Sequence, residues 1–213
     1  MIKDFIKQND FVKEYSLENY SDYEQVIRNK VGYIKVNLDF PALLFMDECI
    51  SLFDKRKPFT YTRHQELPDA PGWAGVILAD NGKPRATPMS EAPKLVEWFK
   101  SHECFDFSDK DKTRIHIHYL EPKSFIPIHQ DYENDMCNGL NFAITQPAGC
   151  KFYVEDYGVI PFSQPGDVYL CQIGKRHCVY NDSDEIRIHI LPKGPYLDKQ
   201  KILKYINLSL IHI

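Results

Sequence analysis

The sequence predicts a mainly β fold of the barrel or jelly-roll type, with helices packed beside it. From residue 113 onward, short apolar or alternating segments recur between turn residues, as is typical of such folds. Two earlier stretches have apolar residues at helical spacing and could cover one sheet. At 213 residues, 43% of them hydrophobic, the chain is long enough to bury the core of a single domain.

Residues 1–110 are expected to support the β core. One or two short helices are predicted within residues 1–30, and alternation predicts a strand over 31–38. Pro41 suits the first turn of a helix that runs to about residue 57. The next elements are a possible strand at 59–64, a loop at 66–72, a strand at 73–79, a turn at 80–82 and a helix at 94–101.

The strand-rich core is predicted over residues 111–193. Its strands are placed near 113–120, 126–130, 139–145, 150–155, 167–172, 177–181 and 185–191. Residues 194–213 form a tail with helical spacing, which could pack on the core or form a subunit contact.

Charge, hydropathy and cysteine usage narrow the classes of function. A net charge of −4 gives no general attraction to nucleic acids or to anionic membranes. No apolar run approaches the ~20 residues of a membrane span, and the N-terminus lacks the apolar core of a signal peptide. The six cysteines form no CxxC pair, which favours a reduced cytoplasmic protein without a structural zinc site.

His129, Asp131 and His177 have the clearest chemical signature. His129 and Asp131 form a His-x-Asp pair at the predicted end of a strand, where residues i and i+2 point the same way and can reach one metal ion. His177, on a later strand, could be a third ligand. Two imidazoles and a carboxylate form the face that holds non-haem Fe(II) and leaves positions open. Taken alone, His129 could equally be an ordinary surface or core histidine.

Arg187 lies on a later predicted strand whose alternation puts Arg187 and His189 on one face. A buried guanidinium can grip a carboxylate through two hydrogen bonds, as a dicarboxylate cosubstrate requires. His189 could also be a core histidine. His116 and His118 form a His-x-His pair on another strand, but no third ligand of matching context follows to complete a rival metal site.

The segment from about residue 112 to 193 resembles the Fe(II)/2-oxoglutarate oxygenases. Within them it resembles the aspartyl/asparaginyl β-hydroxylase-like family, which includes bacterial proline hydroxylases. The matching residues are 120–133, with His129 and Asp131, then 166–170, His177, and 181–189, with Arg187.

The resemblance implies a double-stranded β-helix, the cupin-like form of the jelly roll. It also implies a dioxygenase that uses Fe(II), 2-oxoglutarate and O2 to hydroxylate an amino acid, free or in a peptide, with succinate and CO2 as co-products. By position, His129, Asp131 and His177 would hold the iron. Arg187 would pair with the distal carboxylate of 2-oxoglutarate, and His118 would make a second polar contact to that carboxylate; His189 could contact the cosubstrate too. Asp131 argues against the halogenase variant, in which a small residue replaces the carboxylate.

The chain departs from this family at one place. Its proline hydroxylases carry an Arg-x-His pair on the strand after the His-x-Asp loop, and here the two positions are Gly139 and Asn141. Asn141 could still hydrogen-bond a cosubstrate carboxylate, whereas Gly139 cannot. The departure leaves open what holds the proximal carboxylate and whether proline is a substrate.

Other interpretations of the residues remain open. A cupin-like dioxygenase or isomerase that does not use 2-oxoglutarate would leave Arg187 unexplained, and a non-catalytic β-barrel binding module would purify without stoichiometric iron. Loops at a barrel mouth often carry specificity. The residues that could reach substrate from loops, or could be ordinary structure, are Trp73, Arg85, Tyr132 and Asn134.

Overall fold

The computed structural model describes residues 1–13, 31–58, 72–81, 86–131, 139–193 and 199–207. The strands of these ranges are β1 (Tyr33–Lys35), β2 (Lys57–Pro58), β3 (Trp73–Leu78), β4 (Ala86–Thr87), β5 (Arg114–Leu120), β6 (Phe125–His129), β7 (Gly139–Ala143), β8 (Cys150–Val154), β9 (Gly158–Ile160), β10 (Val168–Cys171), β11 (His177–Asn181) and β12 (Arg187–Lys193). The α-helices are α1 (Ile2–Asn9), α2 (Ala42–Ser51), α3 (Pro93–Ser101) and α4 (Lys199–Asn207).

Two β-sheets form the centre of the fold. The larger sheet has the order β1-β10-β7-β12-β5-β3-β2, with β4 paired to β3, and the smaller has the order β6-β11-β8-β9. From β5 onward the chain passes between the sheets at almost every connection, and its strand pairs are antiparallel. This winding is that of a jelly roll, so the prediction of a double-stranded β-helix is confirmed.

The two faces of the larger sheet differ because side chains alternate along each strand. On β5, Ile117 and Tyr119 point into a core that they share with α2, α3 and α4. Leu120, of opposite parity, belongs to a second cluster with Trp73 and with residues of the smaller sheet such as Phe152. Helices therefore cover one face, as predicted, while the other face packs against the smaller sheet.

Helices α2 and α3 are joined through one carboxylate. Glu48 on α2 accepts hydrogen bonds from the backbone N–H groups of Lys94 and Leu95, at 2.9 and 3.0 Å. These N–H groups lie in the first turn of α3, where a helix has no internal acceptors and favours negative charge. Pro93 is the first residue of α3, so its missing N–H costs nothing there. Glu48 thus caps α3 and holds the two helices together.

Several element bounds differ from those predicted. The strand expected over 31–38 is only Tyr33–Lys35, because the N–H of Asn37 donates to the carbonyl of Tyr205 in α4 instead of to a strand. The helix expected to reach residue 57 ends at Ser51, and a 3-10 turn and β2 follow. Strand β9 was not predicted, since three residues are too few to show a period.

Some predicted features lie outside the described ranges. They are the possible strand at 59–64, most of the loop at 66–72, most of the first thirty residues, and the candidate substrate contacts Arg85, Tyr132 and Asn134. None of the helices in the described ranges has the length and hydrophobicity that crossing a bilayer requires.

Candidate active site

The candidate metal ligands meet where β6 and β11 pair. His129 ends β6, His177 begins β11, and the antiparallel register puts them directly opposite each other, with ring centroids 4.2 Å apart. The N–H of Asp131 donates to the carbonyl of Ile173 at 3.0 Å, which ties the loop after β6 to the segment before β11. One possible ligand atom from each of His129, Asp131 and His177 lies within 4.8 Å of the other two.

The backbone determines which nitrogen of each imidazole carries hydrogen. Nδ1 of His129 is 2.7 Å from the carbonyl oxygen of Pro127, and Nδ1 of His177 is 2.8 Å from that of Lys175. A carbonyl oxygen only accepts, so Nδ1 donates, and in the neutral ring Nε2 carries the lone pair. Nε2 of His129 lies 3.6 Å from Oδ1 of Asp131. Two imidazole nitrogens and one carboxylate oxygen suit Fe(II) in chemistry and number.

The residues beside the ligands point elsewhere, as alternation predicts. Gln130 donates its side-chain N–H to the carbonyl of Gly174 at 2.6 Å. Cys178 packs with Phe5 and Tyr153 on the far face of the smaller sheet, where burial raises its pKa to about 12. Neither side chain is placed to replace His177.

The polar residues of the larger sheet lie on the face that packs against the smaller sheet. His189 on β12 is the register partner of His118 on β5, and it also contacts Arg187 and Asn141. Trp73 connects these residues with the candidate metal ligands. Its indole N–H donates to Nδ1 of His118 at 3.4 Å, and its ring centroid is 6.0 Å from that of His129. The structure therefore brings the candidate metal ligands of the smaller sheet close to the candidate cosubstrate-binding residues of the larger sheet.

Arg187 is a buried cation, 2% exposed, that has no carboxylate partner within the described ranges. Its hydrogen bond to another described side chain goes to Nδ1 of His189, at 2.8 Å. Desolvation lowers the pKa of Arg187. Burial raises the pKa of the nearby thiols of Cys150 and Cys171, so they supply no negative charge. A buried guanidinium without an anion is costly, which makes this a place for an anionic ligand.

His189 is neutral in this environment. Desolvation lowers its pKa well below the usual value, and the nearby positive charge of Arg187 lowers it further. Because Nδ1 accepts from Arg187, the ring hydrogen is on Nε2, 3.0 Å from Oε1 of Gln146. Oδ1 of Asn141 is placed 2.6 Å from the same Nδ1. Because Nδ1 accepts from Arg187, the carboxamide has to be turned so that its amide nitrogen takes this position and donates.

Three further positions bear on the sequence predictions. A Cβ atom on Gly139 would lie 2.7 Å from side-chain atoms of Ile173, so Ile173 occupies the space that the arginine of the proline hydroxylases would need.

His116 stacks on His118, with ring centroids 6.0 Å apart. In the described ranges, the one cluster of three possible metal ligands does not include His116. Gln146 was missed, because no motif or spacing marks it.

Residues 44–193 match the model of a family described as aspartyl/asparaginyl β-hydroxylase, and this segment contains every residue of the candidate site. No curated protein is significantly similar to the chain.

Solved structures are similar to the chain at low sequence identity. The non-haem α-ketoglutarate-dependent carbocyclase SnoK of nogalamycin biosynthesis has a TM-score of 0.51 at 14% identity, over 90% of this chain and 93% of that one. A Trichoplax adhaerens prolyl hydroxylase, in complex with a peptide fragment of hypoxia inducible factor, has a TM-score of 0.50 at 13% identity, over 81% and 86%. HygX from Streptomyces hygroscopicus, with nickel and 2-oxoglutarate bound, has a TM-score of 0.50 at 10% identity, over 85% and 88%. At these identities the similarity shows the fold alone.

Proposed function

The chain belongs to the aspartyl/asparaginyl β-hydroxylase family, and we propose that it hydroxylates an amino acid, free or within a peptide, using Fe(II), 2-oxoglutarate and O2. Succinate and CO2 would be the co-products. The observation that carries the proposal is Arg187, whose buried guanidinium lacks a carboxylate in the described ranges and lies on the sheet face that packs against the metal-ligand strands. A dicarboxylate cosubstrate supplies the missing anion.

His129, Asp131 and His177 would hold Fe(II), which supplies O2 activation when 2-oxoglutarate is also bound. The role of the chain is to keep these three side chains in place before the metal arrives. Nδ1 of each histidine is already bonded to a backbone carbonyl, so neither ring has to reorient. Such outer hydrogen bonds orient ligands and raise their basicity.

Arg187 would pair with the distal carboxylate of the cosubstrate. Its planar fork of N–H donors matches a carboxylate, and the charge-assisted contact is roughly twice as strong as a neutral hydrogen bond. His118 would donate a second hydrogen bond. Because Nδ1 of His118 accepts from Trp73, the neutral ring carries its hydrogen on Nε2. Asn141, two positions from Gly139, remains the candidate for a further carboxylate contact.

Aromatic rings would keep water away from these charges. Phe152 lies 5.6 Å from the ring of His177, and Phe162 lies 4.8 Å from that of His189, both measured between centroids. In a site without water, the attraction between a guanidinium and a carboxylate is stronger than in bulk solvent. Excluding water would also prevent side reactions.

The alternatives explain less of the site. A metal-dependent dioxygenase or isomerase without 2-oxoglutarate would leave the charge of Arg187 uncompensated. A non-catalytic binding module would give no reason for the ligand set of His129, Asp131 and His177. The family model, described as aspartyl/asparaginyl β-hydroxylase, supports a substrate of amino-acid character, and the Gly139 departure supports one other than proline.

Anaerobic titration of the apo protein with Fe(II) and 2-oxoglutarate tests the proposal. The expected result is the weak visible charge-transfer band of the bidentate complex, which bound amino acids should perturb. Arg187→Ala should require far more 2-oxoglutarate for the same band. Arg176→Ala, which removes an exposed arginine paired with Glu155, should not. Absence of the band in wild-type protein that has bound Fe(II) would remove 2-oxoglutarate from the mechanism.

A further inference from the structure

We infer that Gln146 is a positioning residue that acts through His189 to aim Arg187 at the cosubstrate carboxylate. The inference rests on the proposed function and adds a residue to it. Gln146 lies just after β7, and its side chain forms hydrogen bonds with the backbone of Cys150 and with His189. Through the His189 ring it is connected to the guanidinium of Arg187.

The orientation of the Gln146 carboxamide is determined by the backbone. Its Nε2 donates to the carbonyl oxygen of Cys150 at 2.8 Å. Since a carbonyl oxygen only accepts, the amide nitrogen must be on that side, and Oε1 must be on the other. Oε1 is the atom that faces Nε2 of His189, at 3.0 Å. Gln146 therefore presents an acceptor, and no donor, to the buried ring.

This acceptor favours the same tautomer of His189 as the Arg187 donor on the other side of the ring. The ring is neutral because burial and the charge of Arg187 lower its pKa, so it carries one hydrogen. With Oε1 of Gln146 against Nε2, the hydrogen stays on Nε2 and the lone pair on Nδ1. The other tautomer would set the lone pair of Nε2 against Oε1, and the hydrogen of Nδ1 against the N–H of Arg187.

The selected tautomer then orients Arg187. The guanidinium has five N–H donors and no acceptor, and in the described ranges its bonded side-chain acceptor is Nδ1 of His189, at 2.8 Å. This bond uses NH2 and leaves the remaining donors of the fork for a carboxylate. A pre-oriented fork loses less freedom when it binds, which increases affinity without any new contact.

A purely structural role for Gln146 is the competing explanation. Its bond to Cys150 spans a turn that is also held by the hydrogen bond from the N–H of Cys150 to the carbonyl of Pro147, at 3.0 Å. Loss of the side chain could loosen that turn. The test therefore has to detect which nitrogen of His189 carries the hydrogen. It also needs a variant in which the relay, the series of hydrogen bonds from Gln146 through His189 to Arg187, is already broken.

The first measurement follows the imidazole. In protein labelled with 15N-histidine, long-range 1H–15N correlation spectra distinguish the two tautomers, and His189→Gln identifies the signal of His189 by its loss. We expect the Nε2–H tautomer in the wild type. Gln146→Met, which keeps the length but offers no acceptor, should shift His189 toward a mixture. An unchanged tautomer in Gln146→Met would overturn the inference.

The second measurement is the affinity of the Ni(II)-loaded protein for 2-oxoglutarate, by calorimetry. Gln146→Met should weaken binding roughly tenfold, the effect of about one charged hydrogen bond. In the His189→Gln background the same substitution should have almost no further effect, because the relay is already broken. An equal effect in both backgrounds would make Gln146 merely structural and overturn the inference.

Gly149→Ala serves as the matched control. Gly149 lies in the same turn with a φ of +90°, a backbone conformation that favours glycine, so alanine should strain the turn. It does not remove the bond between Gln146 and His189, so the tautomer and the affinity should not change. If the wild type binds no 2-oxoglutarate, the proposed function fails. The tautomer measurement would still decide whether Gln146 controls His189.

Discussion

Two pairs of histidines lie between the sheets, and their neighbours give them opposite chemistry. His129 and His177, on the smaller sheet, each donate Nδ1–H to the backbone carbonyl two residues earlier. His118 and His189, on the larger sheet, each accept at Nδ1 from a side-chain donor, Trp73 or Arg187. In neutral rings the first pair offers lone pairs at Nε2, suited to a cation, and the second offers N–H groups.

The two pairs differ in how easily a single substitution could change their tautomers. A backbone carbonyl is present whatever the sequence, so no single substitution can easily reverse the tautomer of His129 or His177. The tautomer of His118 depends on the side chain of Trp73. That of His189 depends on the side chains of Arg187 and Gln146 besides a backbone hydrogen bond with Thr145, and the side chains can be removed one at a time. Substitutions at the first pair should therefore destroy the site, whereas those at the second should tune it.

The largest effect is expected for His177→Ala, which should abolish succinate formation. His177 supplies one of three ligands, and Cys178 next to it lies on the far face of the sheet. Activity and bound Fe(II) should be measured together. His102→Ala, which removes a histidine packed on Trp98 at the end of α3, should leave both near wild type. Wild-type turnover by His177→Ala with iron bound would show that His177 is not a ligand of the catalytic iron.

Asp131→Ala should come next, with severe loss of Fe(II) affinity and of hydroxylation. The carboxylate adds negative charge to a hard cation. The backbone N–H of Asp131 donates to the carbonyl of Ile173, so the backbone at this position is held in place without the metal. Asp131→Glu should keep partial iron binding but lose turnover, because its oxygen is one methylene away from the correct position. Fe(II) titration of both apo variants tests this. Near-wild-type affinity in Asp131→Ala would leave a two-histidine centre.

The next largest effect is expected for Arg187→Ala, which tests the pair of His118 and His189. It removes both the hydrogen-bond donor to His189 and the positive charge between the sheets. Leaving a buried carboxylate unpaired costs about 2–5 kcal/mol, or roughly 30-fold or more in 2-oxoglutarate affinity. Fe(II) affinity should change little, because His129 and His177 are held independently. Calorimetry with each ligand separates the two effects. Equal 2-oxoglutarate affinity in variant and wild type would transfer the role to His118 or Asn141.

Each pair could be predicted from the sequence only in part. The His-x-Asp pair marks a strand end by itself, and alternation alone puts Arg187 and His189 on one face. The direct opposition of His129 and His177 could not be derived, because it depends on the register of two strands far apart in the chain. Gln146 could not be found at all, since its role arises from a backbone carbonyl at Cys150 and a ring on another strand.

At Gly139, too, the residue type could be interpreted from the sequence but its packing could not. The sequence predicts only that a glycine cannot contact a carboxylate. That Ile173 fills the space beside Gly139 is a packing fact, set by the segment between β10 and β11. The fold class was predictable because strand and turn signals recur over the whole core, whereas β9 was too short to carry such a signal.

The smallest effect is expected for Trp73→Phe, which keeps an aromatic ring beside His118 and His129 but removes the indole donor. Without that donor the tautomer of His118 is no longer selected, and the ring loses one hydrogen bond of 3.4 Å, long enough to be weak. We expect 2-oxoglutarate affinity to fall by about two- to threefold, the lower end of the effect of one hydrogen bond, with Fe(II) affinity unchanged. Trp98→Phe, in the helix-covered core, is the matched control and should change stability only. If Trp73→Phe weakens Fe(II) binding as much as 2-oxoglutarate binding, Trp73 acts by packing on His129, and the two pairs are not independent.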